Sequence, residues 1–384
     1  MSRVAIKRDI LRWAMDRSGV TIDDLQRRFP NVRQWDTGER RPTLRQVESL
    51  ARLTMTPLGF FFLAEPPEER LPVPYFRTLG GETPSGPSPD LLETIQTMEQ
   101  RQAWMREYLI EQGQEPLPFV GSAQPRNPPV WVADRVRRAL SLKEGWAARQ
   151  PTWTDALRAL RETIEDAGIL VVVNGIVGNN TRRKLDPGEF RGFVLVDEYA
   201  PLVFVNGADS KAAQMFTLAH ELAHVFLGSS AAFDLREMQA ADDPTEQACN
   251  RGAAEFLVPE RELRRIWPSV KGDPEPFQAI ARQFKVSSLV AARRALDLNL
   301  IPRAAFSGFY RAYQSDERRA ATRQPKRGRF YANQNLRVGR RFASAVVRAA
   351  TEGKLLYTEA YQLTGLYGKT FDRYATRLGI RGPR

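Results

Sequence analysis

The run "MFTLAHELAHVFLG", residues 215–228, contains both histidines of a 384-residue chain. They stand four positions apart, with Glu221 directly after the first, inside an otherwise apolar stretch. On a helix, positions i and i+4 share a face one turn apart, so His220 and His224 can hold one ion between their rings. Glu221 points to a neighbouring angle, which sets its carboxylate beside the ion instead of on it. The flanks "MFTL" and "VFLG" supply the apolar side that buries such a helix, with Asp209 or Ser210 as its cap and Gly228 as its stop. The spacing H-E-x-x-H is that of two imidazole metal ligands accompanied by a general base for a water.

Two nitrogens need a third protein ligand, and "DDPTEQACNRGAAEFLVPE", residues 242–260, offers several acids. Pro244 fits the first turn of a helix capped by Asp243. Glu246 then falls in that first turn, and Asn250 lies one turn on along the same face, where its amide can orient a ligand histidine. Asp242, Asp243 and Glu255 are rivals for the same role, and acids in a first helical turn also serve as plain dipole partners. Glu255 stands among "AAEFLVP" and points some way round from Glu246. A set of two nitrogens and one oxygen suits Zn²⁺ with a position open for water.

The surroundings of this motif read as α+β. "TWTDALRALRETIEDAG" is helical, "ILVVV" is a buried strand, and "GFVLVDEYAPLVFVNG" gives two strands of an antiparallel hairpin before the histidine helix. The expected fold is a zincin-like domain, helices plus a small antiparallel sheet, between helical N- and C-terminal parts. The segments divide as 1–64 helical, 65–89 a Pro- and Gly-rich linker, 90–130 a connecting helix and loop, 131–300 the metal-binding domain, and 301–384 a basic helical domain. No run spans a membrane, no apolar signal core opens the chain, and the lone Cys249 excludes an internal disulfide framework. These features point to a soluble cytoplasmic protein.

Charge is distributed unevenly. Residues 301–384 hold 18 Lys and Arg against 5 Asp and Glu, a net of +13, while the whole chain carries +12. The excess therefore sits in the last quarter, where Arg318, Arg319, Arg323, Lys326, Arg327 and Arg329 form a dense run beside Phe330 and Tyr331. Such a run can contact nucleic acid, and it can equally be a solvated loop. "VGRRFASAVVRAATEG" and "LYTEAYQLTGL" follow as two amphipathic helices.

Taken together, "FTLAHELAHVFLG" and "EQACNRGAAEFLVP" resemble the ImmA/IrrE family of metallo-endopeptidases, whose pattern is H-E-x-x-H and then E-x-x-A-N-x-F-A-A-x-L-L-M-P. The resemblance puts the third zinc ligand at Glu246 and the following Asn at Asn250. Cys249 replaces the usual Ala and Gly252 the usual Phe, and neither departure falls on a ligand. Members similar to this chain are soluble zinc peptidases that cleave a partner repressor in stress or mobile-element switching. The implied chemistry is zinc-assisted amide hydrolysis with Glu221 as the base, completed by an oxyanion-stabilising Tyr or Arg that the sequence does not single out.

The amino-terminal "VRQWDTGERRPTLRQVESLARLT" resembles the Xre class of helix-turn-helix domains, with Trp35, Gly38, Pro42 and Thr43 in the characteristic places. Only "RRFPNVRQ" joins Leu25 to Trp35, which is short for a turn plus a recognition helix. DNA contact through this segment or the basic run, and a non-hydrolytic regulator or toxin–antitoxin partner, stand as the alternatives to a peptidase.

Overall fold

In the computed structural model of the chain, the described residues are 3–69, 87–233, 243–320 and 333–380, with side chains left aside at 231–233 and 316–320. The chain divides into two compact units, whose described parts fall within residues 3–96 and 97–380.

The first unit is helical. α1 (Arg8–Ser18), α2 (Ile22–Arg28), α3 (Val32–Asp36) and α4 (Leu44–Leu53) precede a 3₁₀ turn, Leu58–Phe62. Thr21 and Thr43 each close a capping box, accepting from the backbone N–H of Asp24 and Gln46. Ile10, Leu11, Leu25, Phe29, Val32, Trp35, Val47 and Leu50 form its core. α3 is five residues long, in keeping with the short connection in the sequence. α5 (Pro89–Glu111) begins in this unit and ends in the second.

The second unit is α+β. α6 (Pro129–Ala139) and α7 (Trp153–Asp166) lead into β1 (Leu170–Asn174), β2 (Gly192–Leu195) and β3 (Leu202–Asn206). α8 (Lys211–Leu227) follows, then β4 (Ala231–Phe233) and the helices α9 (Pro244–Leu257), α10 (Glu260–Val270), α11 (Pro276–Phe284), α12 (Ser288–Asp297) and α13 (Arg303–Ala320). A π-helical turn, Asn335–Gly339, runs into α14 (Arg340–Thr351), and α15 (Tyr357–Thr364) and α16 (Lys369–Arg377) complete the unit. The third of these carboxyl-terminal helices, "KTFDRYATR", was not among the two expected; Gly368 starts it and Phe371 and Tyr374 bury it.

The four strands run in the order β1-β3-β2-β4. β2 pairs antiparallel with β3, in register from Gly192↔Val205 to Leu195↔Leu202, which is the expected hairpin. The sheet as a whole is mixed and not purely antiparallel, because β1 pairs parallel with β3 from Leu170↔Leu202 to Asn174↔Asn206. A parallel pair requires a crossover. Here residues 175–201, with β2 inside them, supply it, and strand periodicity alone does not reveal which neighbour β1 takes.

α8 packs against β2, β3, α7 and α9. Every residue from Gln214 to Phe226 is buried, so this is a central helix apolar on nearly all sides, and its few polar groups must find partners inside. Ser210 caps it by accepting from the N–H of Ala213, and Gly228 ends it at φ 71°. A Cβ on Gly228 would meet the Cα of Gly121 at 3.0 Å, so both backbone conformation and close approach require glycine there.

Candidate metal centre

α8 delivers His220 and His224 from consecutive turns of one face, with their Nε2 atoms 3.1 Å apart. α9 brings Glu246 to them from its first turn: Oε2 lies 3.2 Å from His220 Nε2 and Oε1 lies 3.1 Å from His224 Nε2. Asp243 holds that turn in place by accepting from the N–H groups of Thr245 and Glu246 at 2.7 and 3.0 Å, with Pro244 at the first helical position. Both histidines are fully buried and Glu246 is 3% exposed. Among the described residues, this is the group of three that could hold a metal ion.

The donor set fits a metal. Two ligands each about 2.0–2.1 Å from one tetrahedral ion stand about 3.3 Å apart, and the three separations here are 3.1–3.2 Å. His220 Nδ1 lies 3.1 Å from Asn250 Oδ1. An amide oxygen accepts only, so the ring donates from Nδ1 and its Nε2 lone pair faces Glu246 and His224. Burial, opposed by hydrogen bonding to Glu246, pushes the His220 pKa down to about 4, so the ring is neutral, as a ligand must be. Burial pushes the Glu246 carboxyl up, but the facing rings of His220 and then His224 outweigh it and hold it well below the usual range, ionised.

Among the described residues, Glu221 has both oxygens buried with no hydrogen-bond partner, and His224 Nδ1 and Thr217 Oγ1 are buried in the same condition. Orphaned polar atoms of this number in one place are what a site that takes a ligand and water looks like. Burial, with the Glu246 charge second, raises the Glu221 pKa well above the ordinary carboxyl value.

Gly192, at the start of β2, is the residue the sequence reading missed. A Cβ there would stand 2.6 Å from Thr217 Cγ2, 2.8 Å from the Phe204 carbonyl oxygen and 3.2 Å from Glu221 Oε1. The bare backbone lets the strand lie against the α8 face that carries Glu221. A glycine opening a strand otherwise made of Phe, Val and Leu was the available signal.

The rival acids separate cleanly. Asp243 is the α9 cap. Glu255 pairs with the Arg294 guanidinium and accepts from the N–H of Glu260, so its charge is satisfied by the chain itself. Asp242 lies outside the described residues, as do Arg323, Lys326, Arg327 and Arg329 of the basic run. Arg318 and Arg319 belong to the backbone of α13, with their side chains outside the description. Cys249 is fully buried on α9 as a small core residue.

Residues 164–296 match the Peptidase_M78 family, described as an IrrE N-terminal-like domain. That span runs from the end of α7 to α12 and so contains the whole His220–His224–Glu246 cluster. The match supports the ImmA/IrrE resemblance and a metallopeptidase-like function. Residues 338–377, which cover α14 to α16, match a domain of unknown function, DUF8813. No curated protein matches the chain. Among the described residues, no helix is long and apolar enough to cross a membrane.

Proposed function

We propose that the chain is a zinc-dependent endopeptidase that cleaves a regulatory protein, an Xre-type transcriptional repressor. One observation carries the reading: two imidazole nitrogens and the Glu246 carboxylate converge within 3.2 Å, beside the Glu221 carboxylate, which follows His220 on α8 and has no partner among the described residues. The match to a peptidase family over the same residues supports it.

His220, His224 and Glu246 would hold the zinc. When bound, the ion supplies a Lewis acid that polarises the scissile carbonyl and brings the pKa of a coordinated water down to about 7. The chain's own residues do the rest. Asn250 fixes the His220 ring so that Nε2 presents its lone pair. Glu221 accepts the proton of the attacking water and delivers it to the leaving amine.

The amino-terminal unit is proposed to select the target rather than read DNA. A five-residue α3 is about 7.5 Å long, too short to lay several side chains along a major groove.

The test uses purified full-length protein, its metal content measured, with an Xre-type repressor encoded beside it as substrate. Cleavage at a defined bond, abolished by Glu221→Gln with zinc retained, is the expected result. Stoichiometric complex formation with no cleavage by the zinc-loaded protein would replace the peptidase with a partner-binding regulator.

A further inference from the structure

A second chemically distinctive place lies away from the histidines, with one wall on α14, in the domain of unknown function. A cavity of about 660 Å³ opens between the end of α5, the end of α7 and α14. This volume lies within the range of small-molecule sites, about 300–1,000 Å³. α14 lines it with Arg340, Arg341 and Arg348, and α7 lines it with Glu162, Glu165 and Asp166.

Three guanidinium groups and three carboxylates facing one space would be expected to pair off. They do not. Among the described residues, none of the three guanidiniums has a hydrogen bond or an ion pair, and Arg341 Nε is buried with no partner. Glu165 is occupied, since it accepts from the backbone N–H of Arg341 at 3.2 Å at the start of α14. Glu162 reaches no closer than 3.8 Å to a cation, Arg161, and Asp166 is exposed. The half-buried Arg341 gives up hydration without gaining a partner, and burial accordingly lowers its pKa.

A plain anion would satisfy the arginines but would be repelled by the acids. A plain cation has the reverse fault. We infer that this cavity binds a small dipolar molecule, its phosphate or carboxylate on Arg340, Arg341 and Arg348 and its amine N–H groups on Glu162 and Asp166. Guanidinium forks suit either oxyanion, in bidentate geometry. Two sources share this chemistry: a nucleoside monophosphate with an exocyclic amine, and a short peptide with free termini. Tyr108, whose ring stacks on Trp104 at 5.2 Å, forms part of the same wall and would take a flat base. The inference is independent of the peptidase reading.

Calorimetric titration of the full chain with inorganic phosphate, adenosine monophosphate and alanyl-alanine tests it. One dipolar probe should bind about tenfold or more tightly than phosphate, because it adds charged hydrogen bonds at the acid side. Adenosine monophosphate in that place identifies a nucleotide, alanyl-alanine a peptide. Arg341→Gln should weaken the dipolar probe by about tenfold. The exposed Arg348→Gln serves as the variant whose folding is not in doubt and should weaken it in the same direction. Glu162→Gln should weaken the dipolar probe while leaving phosphate unaffected. The inference is overturned if neither dipolar probe exceeds phosphate, or if both arginine variants bind as the parent does.

Discussion

The two ends of α9 each bury a glutamate, and they treat it in opposite ways. At the carboxyl-terminal end, Glu255 meets Arg294 and the N–H of Glu260, while Arg294 also donates to the Val258 carbonyl at 3.0 Å. Every charge there has a partner supplied by the fold. At the amino-terminal end, Glu246 faces the Nε2 atoms of two imidazoles, and Glu221 on α8 has no hydrogen-bond partner among the described residues. The same helix thus carries one buried acid that completes the architecture and one that is left for something the chain does not contain. Buried charge is costly when unpaired, so two acids of one helix, one met by a guanidinium of the fold and the other only by two imidazoles, point to different roles.

The sharpest way to break this comparison is at Glu221. Glu221→Gln preserves shape and removes the base, so turnover should fall by about 10²–10⁴-fold while zinc content stays at the parent level. Equal loss of zinc would mean that Glu221 is a ligand, and the functional end of the comparison would need redrawing. Metal removal by a chelator should abolish turnover and leave the Glu255 end untouched, since no part of that network offers itself to an ion.

The opposite end answers to stability instead. Arg294→Met strands Glu255 in the interior, a change that costs about 3–5 kcal/mol, and thermal unfolding of the full chain should show it as a lowered Tm. Zinc affinity at 25 °C should remain close to that of the parent. A variant that lost zinc and kept its Tm would merge the two ends into one site.

Asn250→Ala lies between these extremes. His220 Nδ1 loses its acceptor, the ring is free to turn, and zinc affinity should fall by about 10–100-fold without loss of the fold. Competition against a zinc chelator reads this directly. An unchanged affinity would show that packing alone orients the ring.

What was legible in the sequence follows from which interactions are local. The His220–Glu221–His224 face, the Ser210 and Gly228 ends of α8, and the Asp243–Pro244 start of α9 all rest on contacts within a few residues. The choice of Glu246 over Glu255 did not. It is settled by Arg294, which arrives from α12, 39 residues further along; the sequence favoured Glu246 by its first-turn place, its Asn250 neighbour and the family resemblance, but left Glu255 as a rival. The parallel partnership of β1 with β3 and the close approach of Gly192 to Thr217 are likewise tertiary facts that no periodicity encodes. The unpaired arginines of α14 were visible only as part of a basic excess, because their lack of partners is a property of three helices meeting.

The smallest expected effect falls on the hinge between local and tertiary structure. Asp243 touches neither histidine; it accepts from Thr245 and Glu246 N–H and so fixes the turn that aims the Glu246 carboxylate. Asp243→Ala removes one cap, worth about 1 kcal/mol of helix stability. Pro244 remains and keeps the first turn pre-formed, so α9 should still start where it does. The consequence for zinc should be correspondingly slight, about tenfold or less in affinity, and Asp243→Asn, which retains an accepting oxygen, should restore most of it. If Asp243→Ala instead removed zinc altogether while the helix stayed folded, Asp243 would be a ligand in its own right, and the amino-terminal end of α9 would hold two acids for the ion instead of one.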